Sequence, residues 1–274
     1  MKKIILSVLT IGLMTVGAFA QRDANNLTKM STKVNANVAK ATTIYPESFN
    51  DCATIDGATY YVSNQSMAYI ISGTNYWADR GWAQRYSLNN VQVKGVAAVL
   101  ASANFVGGTA CSAKLFAASA SGIGNELASV SFNTADIADL VNGDDFTLYE
   151  FNFASSQSVS NFAVGVIGPD WSDDGSNITC DLLIVGSTEM DCASENGELA
   201  YYLNDDEGGW VDYISGWGGN VVFDLYLFPI IEGTNGLTDV ELNNLTYVYP
   251  NPANDEMIFA SSYTINTIEI YNVL

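Results

Sequence analysis

The chain has 274 residues, 48% hydrophobic and 12% aromatic, with 10 basic against 30 acidic side chains and no histidine. That apolar content excludes disorder for the bulk of the chain, and a formal charge of −20 excludes a phosphate backbone as partner, because the surface repels it. The missing imidazole removes Ser-His-Asp and Cys-His nucleophilic systems, HExxH zinc peptidases and imidazole general bases.

In chain order, Met1-Lys2-Lys3 forms a positive head and Ile4 to Ala20 an apolar run ending Ala18-Phe19-Ala20. Small residues at the −3 and −1 positions make this a signal peptide (residues 1–20) cut before Gln21. Removing Lys2 and Lys3 leaves 8 basic against 30 acidic residues, a mature charge of −22. No later stretch is long and apolar enough to span a bilayer, so no transmembrane segment is expected after cleavage. Residues 21–44 are polar, rich in Asn, Thr, Lys and Ala, and without strand period; they read as a linker or unstructured N-terminus.

From about Tyr45 the texture changes to short alternating runs separated by Gly, Asn, Ser and Asp. Val91/Val93, Leu115/Ala117, Tyr149/Phe151/Phe153, Phe162/Val164/Val166 and Val221/Phe223/Leu225/Leu227 each place apolar residues on one face of a strand. The spacing predicts strands at Thr59–Ser63, Met67–Ile71, Trp82–Ser87, Val91–Leu100, Cys111–Ala118, Leu127–Phe132, Phe146–Phe153, Asn161–Ile167, Ile178–Val185, Leu199–Leu203 and Val221–Phe228. Thr134–Val141 alone looks like a helical turn. Many short strands without βαβ alternation predict an all-β, antiparallel, jelly-roll-like β-sandwich over residues 45–231.

Cys52, Cys111, Cys180 and Cys192 are an even set in an exported chain. Three pairings are open. Cys180 and Cys192 flank an expected hairpin, which favours Cys180–Cys192 with Cys52–Cys111; free buried thiols are the other reading. Zinc is disfavoured by the absence of CxxC spacing and of histidine.

Two loops bunch oxygen donors beside tryptophans. Asp170-Trp171-Ser172-Asp173-Asp174-Gly175 and Asn204-Asp205-Asp206-Glu207-Gly208-Gly209-Trp210 could supply several carboxylates to Ca²⁺, which takes six to eight oxygens. Candidate calcium ligands are Asp170, Asp173, Asp174, Asp205, Asp206 and Glu207. Neither loop has EF-hand spacing, so the competing reading is ordinary turn chemistry of Asp and Gly. Trp171, Trp210 and Trp217 would then form a platform for sugar rings, exposed aromatic faces flanked by hydroxyl-binding Asp and Asn. Against this, Trp is mostly buried, and Trp77 and Trp82 read as core. No acidic strand pattern sets two carboxylates together for glycoside hydrolysis, although that chemistry needs no histidine.

Residues 232–244 form a second linker, and residues 245–274 a separate tail. There Tyr249-Pro250-Asn251-Pro252-Ala253-Asn254-Asp255, followed by Ile258 and by Ile268-Glu269-Ile270-Tyr271-Asn272, resembles the C-terminal sorting domain of type IX secretion cargo of Bacteroidetes-type bacteria. The resemblance covers about the last 30 residues. It implies the start of a small Ig-like sandwich, a translocon as partner, and release or attachment at the cell surface after passage through the periplasm. Tyr249, Pro250, Asn251, Pro252 and Ala253 carry the signal. Because the family's domain continues with further strands, the sequence to Leu274 is expected to be a fragment. The middle region is more loosely similar to jelly-roll modules that precede such tails. The expected role is therefore a non-catalytic adhesion or glycan-binding protein, with no cofactor other than calcium. A carboxylate-based polysaccharide enzyme or accessory domain, or a structural surface component, is the alternative.

Overall fold

Alternating apolar residues extend furthest in two stretches, and each forms one long strand. β3 (Gly81–Ala103) and β6 (Phe146–Ile167) run antiparallel from the Gly81–Ile167 pair to the Leu100–Thr147 pair. They are seen in a computed structural model that describes Arg22 and residues 27–35, 43–46, 48–63, 66–175, 177–193, 199–232, 246–249 and 258–261. The fold is all-β, with 58% strand and 8% helix. It is one open, sandwich-like sheet of ten strands rather than a barrel.

Around this ladder stand β1 (Leu27–Asn35), β2 (Gly57–Ser63), β4 (Ala110–Ser119), β5 (Gly122–Asn133), β7 (Leu182–Val185), β8 (Ala200–Asn204), β9 (Gly209–Asp212) and β10 (Leu227–Ile231). The first half of β3 pairs with β8, and the matching half of β6 with β4. The second half of β3 takes β10 and β7. All these pairings are antiparallel; among the named strands described, β1 pairs parallel with the start of β6, Val34 opposite Phe146.

Side chains alternate across a strand, so the ladder supplies two apolar layers. Val96, Ala98 and Leu100 pack with Trp82, Phe162, Val164 and Leu115. Ala97, Val99 and Ala101 pack with Tyr60, Phe146, Ile184 and Phe228. Burying side chains of this size contributes about 1.5–3 kcal/mol each. At Gly165 the strands are so close that a Cβ would lie 2.6 Å from the Trp82 carbonyl oxygen.

Several expectations change. The runs Trp82–Ser87 and Val91–Leu100 are one strand, because Asn90 adopts a left-handed φ of 52° and forms a bulge instead of a turn. Phe146–Phe153 and Asn161–Ile167 likewise fuse. Met67–Ile71 is a tight turn whose Ser66 side chain accepts from the Ala68 amide. The segment expected as a linker contributes β1, which pairs along β2 from Leu27–Ser63 to Lys33–Gly57. Within the tail, β11 (Thr246–Tyr249) and β12 (Ile258–Ser261) pair antiparallel in a two-stranded sheet. Pro250–Ala253 and Ile268–Asn272, like the signal peptide, lie outside the described residues.

The expected disulfide pairing is replaced by a Cys52–Cys192 bridge, with Cys111 and Cys180 free and buried. Packing decides this. α1 (Ser48–Asp51) sets Phe49 against Tyr226 and Phe228, at ring separations of 4.9 and 5.3 Å, and Cys192 bridges to Phe223 on that same stretch. Cys111 and Cys180 meanwhile belong to different apolar layers. A further fixed point is Asp181, which is fully buried. Its carboxylate accepts from the amides of Phe105, Val106 and Gly108, each at 2.8 Å, and from the hydroxyls of Thr109 and Thr134. Burial alone would raise its pKa, but these donors outweigh burial and hold it below the ordinary value.

Two measurements follow. Burial pushes the Cys111 thiol up to about 12 and raises Cys180 as well, so a thiol reagent should find no reactive cysteine in the native protein. It should find two after unfolding without reductant, and Cys52→Ser with Cys192→Ser should cost about 2–5 kcal/mol, since the bridge spans 140 residues. Asp181→Asn should cost about 2–4 kcal/mol at neutral pH by denaturant titration. A lowered folded pKa stabilises above the unfolded value and is lost as pH falls, so the gap to wild type should close below about pH 4.

Candidate functional site

Where β3 starts, β6 stops and β8 stops, the connecting loops bring aromatic and charged side chains together. An aromatic run begins at the surface with Trp171 and Tyr76, 6.1 Å apart, and Tyr76 is 57% exposed. It continues through Tyr69 at 5.6 Å and Trp77 at 5.2 Å to Trp217, which is fully buried and meets Trp77 edge to face at 5.4 Å. These separations are those of favourable aromatic pairs.

At the buried end lies Arg22. Its guanidinium forms a two-pronged pair with Asp79, at 2.6 and 2.7 Å, and reaches Glu207 at 2.9 Å. Its central carbon lies 4.3 Å from the Tyr202 ring centre, 5.3 Å from Trp77 and 5.6 Å from Trp217. Burial works against the charge, but Asp79 outweighs it, aided by Tyr202 and Glu207, and holds the guanidinium above its usual pKa. Burial, and then the hydrogen bond that Tyr202 donates to Glu207, raise the Tyr202 phenol.

The local sequence builds this cage. Asn75 accepts from the amides of Trp77 and Asp79, folding Asn75–Asp79 into a tight loop with Ala78 at a left-handed φ of 63°. Asn75 and Asn204 each donate a side-chain N–H to Asp79, at 2.9 and 2.8 Å. Asn204 also accepts from the Glu207 amide, which fixes that carboxylate beside the cage. α2 (Tyr213–Gly216), capped by Asp212, brings in Tyr213 and Trp217. A Cβ at Gly216 would collide with the Tyr202 hydroxyl, so glycine lets the two elements close.

The expected calcium ligands do not converge. Among the described residues no group of three or more His, Cys, Asp or Glu could hold a metal ion. Asp173 accepts from the Trp171 indole and the Gly175 amide, and Asp174 from the Asn177 amide, as turn carboxylates do. Arg80 joins the two acidic loops, pairing with Asp205 at 2.8 Å and Asp170 at 3.9 Å, while Asp206 is exposed. The expected tryptophan platform also comes apart. Trp217 is buried in the cage, and Trp210, half-buried on β9, stacks edge-on against Phe116 at 5.2 Å. Trp171 is half-buried against the second apolar layer and meets the exposed Tyr76 at the surface.

Sequence reasoning missed Arg22, Asp79, Tyr76 and Tyr69. An Asn four residues ahead of an Asp, with Trp between, was the local signal for the loop. Nothing local marked Arg22, because its partners lie 57 and 185 residues away. No protein-family model matches the chain, and no curated protein matches it.

Asp79→Ala should destabilise by about 3–5 kcal/mol, since it strands a buried cation. Ala78→Gly should instead stabilise by up to about 1 kcal/mol, because glycine adopts a left-handed φ without the Cβ clash. Denaturant titration of both variants checks the pair of signs.

Proposed function

We propose that this is an exported, non-catalytic carbohydrate-binding protein whose contact surface is the outer end of the aromatic run. Tyr76, Trp171 and Tyr69 would stack on the faces of neutral sugar rings. Asp173, which accepts from the Trp171 indole, and the neighbouring Asp170 would accept hydrogen bonds from sugar hydroxyls. The observation that carries this reading is the exposed Tyr76 ring set beside Trp171, whose indole N–H is held by Asp173 at 2.8 Å. Exposed aromatic faces cost solvation and find use where a ligand covers them. The signal peptide and the Tyr249–Ala253 stretch support export through a type IX translocon to the medium or the cell surface.

On an array of neutral polysaccharides, Tyr76→Ala and Trp171→Ala should each weaken binding by about 2- to 12-fold, at about 0.5–1.5 kcal/mol per stacked ring. Trp210→Ala should bind as wild type does, because its ring packs on Phe116. Equal binding by all three variants would defeat the surface assignment. Separately, removing everything after Asn244 should leave a folded sandwich with an unchanged melting temperature but stop its appearance outside the cell. Unaltered export would defeat the sorting reading.

A further inference from the structure

Arg22 belongs to no strand; it precedes β1 and enters a receptor that other segments complete without it. Asp79 is aimed by Asn75 and Asn204. Glu207 is aimed by Tyr202 and by the Asn204 side chain through its own amide. The Tyr213 hydroxyl is tied to the Ile71 carbonyl at 2.8 Å and its ring stands 5.1 Å from Tyr202, while the Trp77 amide is tied to Asn75 and its carbonyl to Asn204. None of these bonds involves Arg22. The receptor is also chemically selective. A fork of two parallel N–H bonds to one carboxylate suits a planar guanidinium, as does stacking on Tyr202, and an ammonium reproduces neither. The Trp217 indole N–H is buried there with no partner among the described residues.

We propose that this cage is a guanidinium-recognition site, filled by the chain's own Arg22 and able to take the arginine side chain of a separate peptide when Arg22 is removed. In the wild-type chain the tethered arginine competes at an effective concentration on the order of millimolar, which keeps outside arginines out.

The test uses the full exported chain carrying Arg22→Ala and a four-residue peptide matching Gln21-Arg22-Asp23-Ala24, with versions holding citrulline or lysine at the second position. At about ten times its Kd, the arginine peptide should raise the Tm of Arg22→Ala by about 3–6 °C. The citrulline peptide should not, the lysine peptide should do so by less than half, and wild type should not respond. Adding Asp79→Asn to Arg22→Ala should abolish the shift. If Arg22→Ala is recovered unfolded, the readout becomes refolding yield, with recovery expected from the arginine peptide and not from citrulline. No shift or rescue by the arginine peptide, an equal effect of citrulline, or an equal shift in wild type overturns the assignment.

Discussion

The β3–β6 ladder supports the rest of the molecule, since every other strand of the large sheet except β2, β5 and β9 pairs with one of its two members. Its length makes this possible. One half of β3 lies between β6 and β8, and the other half between β6 and the β7 and β10 strands. The bulge at Asn90 changes the register between these halves without ending the strand. Because successive residues face opposite sides, the same backbone lines both apolar layers, and the layers cannot be lost independently.

A second constraint acts at the end of that ladder. Taking a carboxylate and a guanidinium out of water costs several kcal/mol per ion and is tolerated only where hydrogen bonding is complete. Asp79 meets that condition, with each oxygen accepting one bond from Arg22 and one from an asparagine. The pair therefore ties the residue ahead of β1 to the loop before β3 and, through Glu207, to the β8–β9 turn, two segments that the β3–β8 pairing already sets side by side. Breaking it would uncover one charge against buried tryptophans, a larger penalty than the loss of a surface ion pair.

What could be read in the sequence follows from how local each determinant is. Alternation at Val91/Val93, Tyr149/Phe151/Phe153 and Phe162/Val164/Val166 is a property of neighbours, and it gave the fold class. The extent of the strands was harder to read, because Asn89-Asn90 has turn chemistry that a bulge also uses. β1 was missed because its residues are half-buried or exposed along most of their length and show no apolar period. Disulfide pairing was misjudged for a further reason. It depended on α1 docking onto Tyr226 and Phe228, a contact between segments far apart in the chain. The acidic loops read both as turn chemistry and as metal ligation, and Asp173 and Asp174 accept from turn amides. Charge patterns could not reveal that Arg22 and Arg80 serve those loops.

The two ends of the aromatic run differ in exposure but share a framework. Trp77 touches both Tyr69 and Trp217, so the ring that walls the buried cage also backs the ring that supports Tyr76. A sugar-binding surface gains affinity when its rings are held before the ligand arrives, since ordering them afterwards costs about 0.5–1.5 kcal/mol per side chain. In the proposed reading, the buried Arg22–Asp79 pair would provide that rigidity from behind, through the packed rings of Trp77 and Tyr69. The charge around the outer rings also bears on the proposed ligand. Arg80 is already paired with Asp205, and Asp170 and Asp173 face solvent in a chain of formal charge −20. Anionic polysaccharides would be repelled from such a rim, whereas carboxylates accept hydrogen bonds from neutral sugar hydroxyls, so electrostatics and stacking favour the same class of ligand.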